Sequence, residues 1–195
     1  LVGGDYRGAN AAVRNARQAH GGEEVIIGGD ALVDGDGGRV IVWSDDYTRM
    51  LGSASARGAG SGDGGFVEIS GARNLAFSGS VDATAAGSGS YGTVLFDPTD
   101  IVVSDADGTD TADGGDVLFA DAAAAEPWNV TPAQLDAIAG NVILQATNDI
   151  DVDDPVDLTT GGASLTAQAG NDINVNATIT TNNGDINLVA DDNDG

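Results

Sequence analysis

Cysteine is absent and histidine occurs once, so no disulfide framework, thiolate metal site or redox pair is open to this chain. Lysine is absent too. The seven cations are all arginine (Arg7, Arg14, Arg17, Arg39, Arg49, Arg57 and Arg73), against 31 acids, for a net charge of −24. A chain this acidic is repelled by phosphate backbones and anionic headgroups, which argues against nucleic-acid and membrane-surface binding. No run of ~18 apolar residues occurs, so no membrane-inserting helix is expected. Aromatics are 5% of the residues and hydrophobics 41%, so any core consists of small aliphatic side chains. Only four of the 195 residues are proline, whereas 30 are glycine, and chain reversals therefore fall on glycine. No charged-then-apolar leader opens the sequence, which starts at Leu1 and reads as a piece of a longer protein.

What is abundant is aspartate. Four of the 31 acids are glutamate (Glu23, Glu24, Glu68 and Glu126) and the other 27 are aspartate. Aspartate favours turns and caps, because its short carboxylate reaches nearby backbone N–H groups. Solvated turns on a loop-rich fold account for the composition, and divalent-cation binding is the functional alternative. An acidic, lysine-free surface also suits high salt, where repulsion is screened.

Internal repetition points to the architecture. Residues 35–61, GDGGRVIVWSDDYTRMLGSASARGAGS, align without a gap on 62–88, GDGGFVEISGARNLAFSGSVDATAAGS. Residues 89–115 continue the register more loosely: Val94 falls under Val67 and Val40, and Phe96 under Ile69 and Val42. The same step sets Thr48, Leu75 and Val102 in one column, and Met50, Phe77 and Ser104 in another. Apolar residues alternate along each short run, the period of a half-buried strand. Val40 and Val42 form the inward set. Ile41 aligns with Glu68 in the set expected to face solvent. Farther on the step shortens: Asn148–Val152 reappears as Asn171–Val175, and Leu165 is followed by Ile186. Short strands in a repeat of this size predict a β-solenoid, in which stacked coils bury one continuous core. About eight or nine coils at ~4.8 Å each make a rod on the order of 40 Å.

Residues 1–34 then hold a first strand, Leu1-Val2, and a long irregular coil. Residues 35–115 form three 27-residue repeats, 116–139 a strand, an extension and a short helix, and 140–195 the 23-residue coils, all of one solenoid. Thr131, Pro132 and Gly140 bracket the helix with start and stop signals, and the expectation places it outside the solenoid, with Trp128 packed beneath. Asn148 and Asn171 are expected to stack amide on amide along the rod axis.

Residues fit for chemistry are few. His20, between Ala19 and Gly21, is read as an exposed loop residue. With no cysteine, a zinc site would need three carboxylates beside it, which is poor zinc chemistry. A hydrolytic triad has no other base, and no nucleophile-elbow sequence precedes a helix. Polysaccharide-cleaving β-helices need clustered carboxylates beside a basic residue on one strand face. Here Arg39 aligns with Phe66, and Arg49 with Ala76, so no basic column exists and the chain reads as non-enzymatic. The one metal candidate is Asp105, Asp107 and Asp110, continued by Asp113 and Asp116. Aspartates alternating through a glycine-containing turn supply the oxygens calcium takes. A solvated acidic turn is the rival reading, and no other cofactor is expected.

Five segments carry a family resemblance: Leu1–Gly8, Gly37–Ser44, Gly64–Gly71, Gly92–Ile101 and Gly140–Ala146. In that order they resemble the passenger repeats of filamentous-haemagglutinin-like adhesins, exported by two-partner secretion in Gram-negative bacteria. The resemblance covers nearly the whole chain. It implies a right-handed parallel β-helix, whose coils the repeat spacings set at 21–27 residues, and a secreted or cell-surface, fibrous product. It also implies an outer-membrane transporter as partner during export. The expected function is a non-catalytic structural and adhesive shaft, with surface glycans or host and neighbouring cells as its contacts. The alternative is a self-assembling solenoid filament, in which coils of identical chains meet end to end. A carbohydrate-active enzyme is the third reading.

Overall fold

The structure, a computed structural model, describes residues 1–105 and 127–191. It is a parallel β-solenoid whose strands stack, coil on coil, into three walls. Wall A has six rungs: β3 (Arg39–Ser44), β6 (Phe66–Gly71), β9 (Thr93–Phe96), β12 (Asn141–Ala146), β15 (Leu165–Ala169) and β18 (Ile186–Val189). At the strand spacing of ~4.8 Å that wall is about 25 Å tall, shorter than the rod expected from sequence.

Wall B begins with β1 (Gln18–Gly21), β4 (Tyr47–Met50) and β7 (Asn74–Phe77) and resumes with β11 (Trp128–Val130), β10 (Ile101–Val103), β13 (Ile150–Val152) and β16 (Ile173–Val175). Wall C holds β2 (Ile26–Gly28), β5 (Ser53–Ser55) and β8 (Ser80–Asp82), then β14 (Val156–Leu158) and β17 (Ile179–Thr181). Leu1-Val2 is not remote from the coils: Val2 bridges Val42 in parallel, so the chain starts against the first full rung of wall A.

The repeat columns are strand registers. Val40 pairs with Val67 and Val67 with Val94, while Val142 pairs with Leu165 and Leu165 with Ile186. Val40, Val67, Val94, Val142 and Leu165 are all buried, and the lumen they line is the core. Glycine permits the close stacking at the entrance to wall A. A Cβ at Gly65 would collide with the Gly38 carbonyl oxygen, and one at Gly92 with that of Gly65.

Two expected columns fail at their third member. β11 pairs with β10 on the side away from β13 and packs beside β7, so it comes between β7 and β10. Leu75 and Phe77 therefore do not pair with Val102 and Ser104. After β10 the chain returns to wall B one rung lower, and Trp128 enters the lumen 4.8 Å from Phe96, itself 5.2 Å from Phe77.

The short helix α1 (Pro132–Asp136) opens as its start signal predicts. Thr131 Oγ1 accepts the Gln134 N–H at 3.1 Å, and Gln134 Oε1 accepts the Thr131 N–H at 2.9 Å. It ends at Asp136, before Gly140, and it does not hang outside the solenoid. Leu135 and Ile138 are buried in the core, Ala139 bridges Asp82, and α1 packs against β14. The helix thus fills wall C between β8 and β14, because its apolar side chains bury more surface in the lumen than they would outside it.

Candidate functional site

The aspartates have a structural use. Asp36 Oδ1 accepts the N–H of Asp63 at 2.9 Å, and Asp63 Oδ1 accepts that of Ser90 at 2.7 Å. Asp34 does the same for Ser61, Asp30 for Arg57, Asp136 for Thr159 and Asp149 for Asp172. In each case the carboxylate on one coil caps a backbone donor on the next, where the corner breaks the strand ladder. The expected asparagine stack takes a different form. Asn171 donates its main-chain N–H to the Asn148 carbonyl, and side-chain rungs instead join Asn174 to Asp151 and Asn176 to Asp153, each at 2.8 Å. An amide over a carboxylate avoids the like-charge stack that two aspartates would make.

The calcium candidate is described only at its first residue. Asp105 is exposed just beyond β10, and its N–H donates to Asp154 Oδ2 at 2.8 Å. Asp107 and Asp110 lie outside the described residues. Among the described residues no group of three metal-ligating side chains comes together. His20 sits on β1 rather than in a loop, exposed, with Arg49 as its register partner.

The cluster that sequence reasoning missed lies on the outer face of wall A. There Ile41 and Glu68, expected to face solvent, are buried, as is Leu95, the register partner of Glu68 on the next rung. A strap, residues 3–17, covers the face. Its backbone runs flat over the Trp43 indole, and a Cβ at Gly8 would lie 2.6 Å from Trp43 Nε1. Asn15 Nδ2 ties the strap to the Asp45 carboxylate at 2.8 Å, and Arg17 pairs with Asp46 at 2.7 Å. Ahead of these anchors in the strap is a 3₁₀ turn, Tyr6–Gly8, which Asp5 caps through the Tyr6 N–H.

Arg7 occupies the left-handed region at φ 52°, a conformation costing a non-glycine residue roughly 1–2 kcal/mol. There it serves two buried acids. Its N–H donates to Glu68 Oε1 at 3.1 Å, and its Nε donates to Asp97 Oδ2 at the same distance. Burial pushes the Glu68 carboxyl up to about 7, against the lowering effect of the Arg7 N–H, and neighbouring Asp97 adds to the rise. Burial also raises Asp97, with Arg7 opposing it. Arg39 lies 5.0 Å from the Tyr6 ring centroid and 5.1 Å from that of Phe66, closing the far side of the turn. The signal for this cluster was in the column: a glutamate flanked by Ile41 and Leu95 at strand register sits on an apolar outer face, and an apolar face is normally covered.

Beside the strap, along the strand ends of wall A, runs a groove of about 640 Å³. Tyr6, Arg7 and Ala9 line one side, and Asp97, Gln145 and Gln168 the other. Glu68 does not line it, so its carboxyl serves to hold the strap rather than to meet a ligand. Compared with known proteins, the chain matches no family model and no curated sequence.

Proposed function

We propose that this chain is a shaft segment of a large extracellular adhesin of the filamentous-haemagglutinin-like kind. It is structural and adhesive, non-catalytic, and exported by two-partner secretion to the surface of a Gram-negative bacterium. The observation that carries the reading is the inward column of wall A, which runs without a break from Val40 through Val67, Val94, Val142 and Leu165 to Ile186. Such a core extends by adding coils, each burying the apolar face of the last, and length is what a shaft supplies. The aspartate corner ladders support the same reading, since they repeat with the coil and require no particular coil number.

The test is a duplication. Inserting a second copy of residues 62–88 after Ser88 should give a folded protein whose scattering profile lengthens by about one strand spacing, ~4.8 Å. Cells displaying it should keep their adhesion. An insertion that unfolds the chain, or one that leaves the scattering profile no longer than that of the wild type, would sink the shaft reading. The parallel ladder of wall A, which gains one strand per coil, equally suits a filament of identical chains meeting end to end, the second reading. Negative-stain images of purified protein showing uniform fibres would select it.

A further inference from the structure

We propose that the strap is a lid over the outer face of wall A, closed while Glu68 is protonated and opened by its ionisation, with the solenoid beneath staying folded. Nothing in this device depends on the shaft reading. The strap is built to move as a unit. Its ends meet, the Ala16 N–H donating to the Gly3 carbonyl at 2.5 Å, in the manner of an Ω-loop. Both ends are fixed to the walls, where Val2 bridges Val42 and Gln18 begins the pairing of β1 with β4. Between them only Gly4 is buried; Tyr6, Ala9, Ala11 and Ala12 are exposed, and Val13 and Ala16 half-buried. No apolar side chain of the strap is therefore buried against wall A, and a segment with so little apolar burial opens before the core does. The ties at its far end, Asn15 to Asp45 and Arg17 to Asp46, are exposed, and exposed pairs hold little.

What holds the lid down is Arg7, set over two acids that are both buried. The charged groups around Glu68 are Arg7 from the strap, Asp97 just past β9 and Arg39 from β3, of which Arg39 acts most weakly. Asp5, also on the strap, is taken by Asn10 Nδ2 at 2.7 Å. With Glu68 protonated, the Arg7 guanidinium faces one carboxylate, that of Asp97. Ionisation shuts a second negative charge in beside it, out of water, and lifting the strap hydrates both. Lifting also releases Arg7 from its φ of 52°. Glu68 titrates at about 7 under the strap against an ordinary 4.5, so closure is favoured most below the ordinary value and that preference is lost as the pH rises through about 7. The open lid uncovers Ile41, Trp43 and Leu95, an apolar face that is buried when it is closed.

Native-state hydrogen exchange of the intact chain, read as protection factors so that the intrinsic pH dependence of exchange drops out, tests the lid. The Arg7 N–H, bonded to Glu68, reports the strap. The Val142 N–H, bonded to the Ser164 carbonyl, and the Ile150 N–H, bonded to that of Asp172, report the solenoid. At pH 6 and pH 8 alike, Arg7 should be protected about a hundredfold less than Val142 and Ile150. Its protection should fall about tenfold between the two pH values, the change that a carboxyl titrating at about 7 rather than 4.5 imposes on opening. Glu68→Gln keeps the acceptor for Arg7, cannot ionise, and should show no such fall. Arg7 exchanging only as slowly as Val142 overturns the lid, because the strap would then open only with the whole solenoid. A wild-type Arg7 protection constant from pH 6 to pH 8 overturns it without any variant, and a tenfold fall retained in Glu68→Gln overturns it as well.

Discussion

The Glu68 carboxylate accepts the main-chain N–H of Arg7 at 3.1 Å across 61 residues of chain, beneath a strap that buries it fully. One hydrogen bond therefore joins the outer face of wall A to a segment that belongs to no wall. Stability should depend on pH through this contact. The folded carboxyl titrates at about 7 against an ordinary 4.5, so the folded strap takes up the proton first. Its contribution is full below the ordinary value and is lost as the pH rises through about 7. Wild-type unfolding free energy should be higher at pH 5 than at pH 8 by up to about 3 kcal/mol from this group. Glu68→Gln keeps an acceptor for Arg7 and cannot ionise. Denaturant titrations of Glu68→Gln at both pH values should lack that difference, and a variant retaining all of it would place the titration elsewhere among the acids.

Both faces of β6 should resist substitution. Val67→Asp puts a carboxylate into the apolar lumen and should cost several kcal/mol. Glu68→Ala leaves the Arg7 N–H without its acceptor under the strap, at about 1–3 kcal/mol. A neutral Glu68→Ala in thermal or denaturant unfolding would mean the strap does not cover the wall in solution.

The corner ladder makes hydrogen bonding separable from charge. Asp63→Ala removes the acceptor of the Ser90 N–H and should lower stability by about 1 kcal/mol. Asp63→Asn keeps an oxygen in place, drops a negative charge from a strongly acidic chain, and should be nearly as stable as wild type. If the two variants lose stability equally, the carboxylate acts through its charge instead.

Calcium should do no more than any salt. Asp105 already donates its N–H to Asp154, and the net charge of −24 gives every cation something to screen. Melting curves in calcium and sodium at equal ionic strength should coincide, for wild type and Asp107→Ala alike. A calcium-specific rise that vanishes in Asp107→Ala would instead establish the site at Asp105, Asp107 and Asp110.

How much was legible follows from what each feature requires. The step between repeats is visible because register is a one-dimensional property: Val40, Val67 and Val94 recur at fixed distance along the chain and so lie on neighbouring strands. The helix start was readable for a similar reason, since Thr131 and Gln134 complete their capping box within four residues. The placement of α1 in wall C was not, because it depends on Leu135 finding room in the lumen between β8 and β14.

By itself the sequence determined the solenoid, the inward faces of its strands, and an acid-rich corner chemistry that local turn preferences and the repeat length impose. Only the tertiary structure decided that Glu68 is buried, that Arg7 and Asp97 meet, that β11 comes between β7 and β10, and that a groove opens beside Gln145. Alternation along a strand says which residues share a face. It does not say what covers that face, because the cover arrives from a distant part of the chain whose path no strand period records.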